Sequence, residues 1–173
     1  MMLNKWMSGF AVKKWRSSFA PLLVLLGSWV GATAQAADSC AALTARLVFQ
    51  SNGTVTDRAT GLTWFRCNLG QDWVSGVCTG ASARLDYASS QDLLASSGLQ
   101  AQGYRLPKLS ELLAITASDC GEPAVTRGWQ ASVNGFYWTA SEAFGGFQNT
   151  VLMTNGEEYP MSLTATAWTL VVK

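Results

Sequence analysis

The sequence predicts an α+β domain with two helices, a mainly antiparallel sheet and two disulfides. Three observations point there. Short β-forming runs flank Asn-Gly and Thr-Gly turns at both ends of the chain, apolar residues recur at helical spacing only in the middle, and four cysteines follow an export leader.

Residues 1–36 read as a secretory signal. Lys5, Lys13, Lys14 and Arg16 precede the apolar run Phe19–Val30, and Ala34-Gln35-Ala36 suits signal peptidase. The run is shorter than the roughly 20 residues that a membrane span needs, so no span is expected after cleavage. Retention of the leader as an anchor is the alternative. The rest divides into a lead-in, residues 37–47, and a single domain, residues 48–173.

Four cysteines in an exported chain imply two disulfides, with three ways to pair them. Cys67–Cys78 is favoured because it closes the turn-rich loop CNLGQDWVSGVC, and Cys40–Cys120 then ties the amino end to the middle. No Cys-x-x-Cys spacing supports a metal or redox site.

Strands are expected at ARLVFQ, TVTD and LTWFR, joined by turns at Asn52-Gly53 and Arg58–Gly61. Asn52-Gly53-Thr54 also matches a glycosylation sequon, but the turn accounts for it better. A helix is expected over residues 81–99, with Ala83, Tyr87, Leu93 and Leu94 on its apolar side and Gly98 as its stop. A second is expected over residues 108–116, with Pro107 near its first turn and Leu109, Leu112, Leu113 and Ile115 turned inward. Residues 119–135 look irregular. Strand signals return at FYWTAS, QNTVLMT, EEYPMSL and TAWTLVVK.

Composition excludes several function classes. All eleven acidic residues but only eight of the twelve basic ones follow Ala36, so a cleaved chain carries a charge of −3 against +1 for the whole. That balance, with no basic cluster, disfavours nucleic acid and anionic lipid as partners. The chain has no histidine. That removes His-based triads, the usual zinc ligands and the commonest general base.

Several stretches together are specific. NGTVTDRATGLTWFRCNLGQDWVSGVCTG, GYRLPKLSELLAI, FYWTASE and TAWTLVVK, taken in that order, resemble the motifs of the bacterial Lcl C-terminal domain family. The resemblance runs from about Phe49 to Lys173 and departs from the family at the end, where Val-Val-Lys replaces the usual Val-Arg. It implies a C-type-lectin-like fold in an extracellular module. The family's namesake is the end domain of a collagen-like adhesin that trimerises and binds sulfated glycosaminoglycans. This chain has no Gly-x-y tract to trimerise it and is acidic once cleaved. Glu122-Pro123 opens a lectin calcium motif, but Ala124 stands where an Asn ligand would follow. No cofactor is therefore expected, with calcium the one left open.

The remaining candidates carry structural or binding roles. Trp64, Trp138 and Trp168 lie in strand patterns and should pack the core. Trp73 and Trp129 lie in loops, where an aromatic face could stack on a sugar ring. Asp57 should hold its turn by local hydrogen bonds. Arg105 should pair with a carboxylate, Glu111 being the nearest one on the following helix. No pair of carboxylates is spaced to suggest a glycosidase. The sequence thus points to an exported, periplasmic or surface-displayed module that binds a glycan or an envelope protein and has no catalytic role. A structural subunit of an envelope or pilus assembly is the alternative, and a hydrolase or oxidase stands behind both.

Overall fold

The computed structural model describes residues 39–125, 128–129 and 134–173. The expected leader, the first two residues of the lead-in and parts of the irregular stretch lie outside the described residues. Within them the chain is α+β, with small antiparallel sheets and both favoured disulfides, Cys40–Cys120 and Cys67–Cys78.

The end of the lead-in is a helix, α1 (Cys40–Arg46), which the sequence reading missed. The Ser39 side chain caps it by accepting from the Ala42 N–H at 3.2 Å, and Leu43 is fully buried. A helix of seven residues does not persist alone. The Cys40–Cys120 bridge holds one end, and an Arg46–Asp57 ion pair at 3.2 Å holds the other.

Strands β1 (Leu47–Phe49), β2 (Thr54–Asp57) and β3 (Thr63–Phe65) form the first sheet in sequence order. Gly53 is required in the first turn on two counts. Its φ is +82°, and a Cβ there would lie 2.3 Å from the Trp73 ring. Asn52 is spent on the same turn, its Oδ1 accepting from the Thr54 N–H and hydroxyl at 3.2 and 2.7 Å. The disulfide loop, expected to be only a polar loop, contains a hairpin, β4 (Asp72–Val74) and β5 (Val77–Thr79). Ser75 and Gly76 turn it with φ of +52° and +91°, the pair of positive values that a tight hairpin turn needs.

Helix α2 (Tyr87–Ser96) starts later than its apolar spacing suggested. Leu85 is held extended by a bridge to Ala167, and Asp86 then caps the helix by accepting from the Ser89 N–H at 2.8 Å. A short 3₁₀ turn (Gln100–Gln102) leads to α3 (Leu109–Ala114). The last sheet has the order β6 (Phe136–Glu142), β7 (Phe147–Leu152), β8 (Glu157–Ser162). The closing segment is not the ladder strand that TAWTLVVK suggested. It bridges Leu85 through Ala167, Tyr137 through Trp168, and both Trp64 and Arg105 through Val172. A segment that takes a different partner every few residues stitches the domain together without lengthening any sheet.

Two apolar clusters form the core, and adjacent residues in extended segments divide between them. Trp64, Tyr137, Leu170 and Val172 join Leu112 of α3, and Ile115 just after it, in one cluster. Phe65, Trp138 and Val171 join α2's Leu94, with Leu106, in the other. Successive side chains of extended backbone point to opposite sides, so each such pair serves both clusters. In the last sheet Tyr137 pairs with Val151 while Trp138 pairs with Thr150. The two faces of β6 therefore meet different clusters, Tyr137 the one that holds Leu112 of α3 and Trp138 the one that holds Leu94 of α2. Among the described residues no helix is long and apolar enough to cross a membrane.

Candidate functional site

Beside α2 the fold leaves an open groove of about 510 Å³. Helix α2 contributes Tyr87, Gln91, Asp92 and Ala95 to it, residues that share a face at helical spacing. The segment before α3 contributes Arg105 and Lys108, and the 3₁₀ turn contributes Gln100. Leu94, Leu106 and Ala140 complete the lining, and the first two belong to the second core cluster. The groove thus has polar flanks over an apolar base that the core holds in place.

Two of its members are held by neighbours. The Tyr87 ring meets Trp138 edge to face at 5.5 Å, and its hydroxyl accepts from Gln148 Nε2 at 3.3 Å. Burial, and then the charge of Glu142, raise the Tyr87 pKa, so the phenol stays neutral. Arg105 is clamped by Glu111 in two parallel bonds, Nη1 to Oε2 and Nη2 to Oε1, each 2.8 Å. Glu111 Oε2 also accepts from the Lys108 N–H at 2.7 Å, satisfying a donor at the start of α3.

The Arg105 hydrogen bond lowers the Glu111 pKa, and the same bond raises that of Arg105. The sign of the pH effect follows. A depressed carboxylate stabilises the fold above its unfolded pKa of about 4.3 and loses that contribution as pH falls through the lower folded value. Glu111→Gln should cost about 1 kcal/mol near neutral pH, a modest figure because the Arg105 side chain is 45% exposed. Thermal melts of both proteins from pH 7 to pH 2 should converge at the acid end. A gap that persists there would show that the ion pair is not its cause.

The other sequence-selected residues are used inside the fold. Trp129 is not an exposed loop aromatic. It is 5% exposed and meets Phe49 and Trp64 edge-on at 6.2 and 6.0 Å, which leaves no face for a sugar. Trp73 is half-buried, with its Nε1 donating to the Ser51 carbonyl at 2.8 Å. Arg66 lies 4.3 Å from the Trp73 ring and 5.0 Å from that of Phe49. Trp73, Arg66, Phe49, Trp129 and Trp64 thus form one continuous series of cation–ring and edge-to-face contacts from the disulfide hairpin into the core. Neither Trp73 nor Trp129 lines the groove.

Asp57, 1% exposed, accepts from the Ala59 N–H at 2.9 Å and the Thr60 hydroxyl at 3.0 Å. It also receives Arg46, whose guanidinium reaches on to the Ala114 carbonyl. The turn is thereby joined to α1 and α3. Trp64 and Trp138 are buried, one in each core cluster. Glu122 is exposed, and among the described residues no three Cys, Asp or Glu side chains converge as metal ligands.

In the sequence Tyr87 reads only as an apolar helix position, and Gln91, Asp92, Gln100 and Lys108 carry no mark of site residues. On one helix, Gln91 and Asp92 read as an ordinary solvated face. Only the packing of α2 beside residues 105–108 makes them one wall of a groove.

The family model of the Lcl C-terminal domain matches residues 53–171. No curated protein and no solved structure matches the chain.

Proposed function

The chain belongs to the Lcl C-terminal domain family, and from that membership we propose that it is an exported binding module that recognises a glycan or a protein outside the cytoplasm and performs no catalysis. The observation that carries the reading is the groove between α2 and residues 105–108. It offers amide, carboxylate, ammonium and phenol groups above an apolar base, on a scaffold stapled by two disulfides. The disulfides support an oxidising compartment. The leader over residues 1–36 supports export.

The test uses oxidised chain recovered from the exported fraction of expressing cells. It is applied to immobilised glycans and to isolated envelopes, with calcium or chelator and at two salt concentrations. Saturable binding to one of them is the expected result. A folded, oxidised sample that binds neither, or one that turns over a substrate, overturns the reading.

A specific feature favours a second reading, an accessory subunit of an envelope assembly. At the β6–β7 turn Phe144 is 63% exposed and stacks on Phe147 with ring centroids 5.2 Å apart. Exposed stacked aromatics suit a protein contact. A photo-cross-linker at position 144 should then give one discrete adduct in cells. Its absence, alongside glycan binding, leaves the first reading alone.

A further inference from the structure

Resting on the binding-module reading, we infer that the α2 groove is the ligand site and that its ligand is an uncharged, hydroxyl-rich sugar unit of a neutral glycan. The lining chemistry selects this class. The amides of Gln91 and Gln100 each donate and accept, as sugar hydroxyls do. Asp92 adds an acceptor and Lys108 a donor. Leu94, Leu106, Ala95 and Ala140 supply the apolar surface that the C–H face of a sugar ring needs.

Charge argues against an anionic ligand. Arg105 and Lys108 are the cations of the groove, with Asp92 on the opposite wall. Glu111 occupies the guanidinium of Arg105 with both its oxygens. The four charges cancel, so a sulfate or carboxylate gains little here, and Glu111 already covers the Nη1–Nη2 fork of Arg105. A purely apolar ligand would leave the polar flanks desolvated without partners.

Preorganisation and size agree with a sugar. Trp138 and Gln148 fix Tyr87, and Glu111 fixes Arg105. At 510 Å³ the groove lies within the range of about 300–1,000 Å³ for small-ligand sites. Because it is open along the surface, it can admit a residue within a longer chain.

The test titrates the oxidised, exported chain with uncharged hexose and N-acetylhexosamine oligosaccharides, and with a heparin-type sulfated oligosaccharide. At least one neutral probe should bind with little dependence on salt. Gln91→Ala and Gln100→Ala, both at exposed positions, should each weaken it about tenfold. Unchanged near-UV circular dichroism and intact disulfide masses exclude misfolding as the cause. Binding of the sulfated probe alone, falling steeply with salt, overturns the inference. So does neutral-probe binding that both substitutions leave intact, since the sugar then sits elsewhere. If no probe binds but the oxidised chain still binds isolated envelopes saturably, the inference fails while the binding-module reading stands. If nothing binds in any arm, both fail.

Discussion

Replacing Cys40 and Cys120 together with alanine should lower the unfolding free energy by about 4–5 kcal/mol, the largest single effect expected for this domain. The two cysteines are 80 residues apart, so the bridge removes much of the freedom of the unfolded chain. The loss should also be structural. Helix α1 is too short to persist unaided, and its amino end is held by this bridge and by the Cys40 N–H donating to Asp119 Oδ1 at 2.8 Å. The second bridge, with a separation of 11, should be worth less, about 3 kcal/mol by the same relation. Urea denaturation of oxidised wild type and of each double variant measures both values. A smaller loss for Cys40/Cys120 than for Cys67/Cys78 would contradict the loop-length account and leave α1 anchored mainly through Arg46.

Trp138→Ala should cost about 3–5 kcal/mol, as expected for emptying a buried aromatic site. Trp138 is fully buried in the second core cluster. Its Nε1 donates to the Leu85 carbonyl at 2.8 Å, and its backbone N–H donates to Trp168. The Leu85 carbonyl also accepts from the Ala167 N–H, so it keeps a partner after truncation. The cost therefore arises mainly from the cavity. Trp138→Phe should keep the fold at a smaller loss, near 1–2 kcal/mol. It should also loosen Tyr87, whose ring rests against the indole, and so weaken groove binding in a protein that still melts cooperatively. Calorimetric melts combined with sugar titration separate the two effects. Groove binding unaltered in a folded Trp138→Phe protein would show that Tyr87 does not depend on this support.

Legibility in the sequence followed the range of each signal. The hairpin turn at Asn52-Gly53 was readable because it depends on a glycine at positive φ within four residues of chain. Helix α3 was readable from Pro107 and the leucine spacing. Helix α2 was misplaced at its start, because Leu85 is held extended by Ala167 from the far end of the chain. Trp73 and Trp129 looked like loop aromatics because local sequence shows no burial. Distant partners, Gly53 with Arg66 for one and Phe49 with Trp64 for the other, draw them in.

By itself the sequence determined the class of the fold, the export leader as an expectation, the disulfide pairing as a preference among three and the family motifs in their order. These rest on periodicity, turn chemistry and cysteine count, which act over a few residues or through composition. The Arg105–Glu111 pair was legible too, six residues apart across the start of α3. Only the tertiary structure decided which polar residues share a groove and which aromatics are spent on the core. Those outcomes depend on contacts between segments far apart in the chain. Such contacts are selected by the joint packing of two core clusters, and no short stretch of sequence encodes that packing alone.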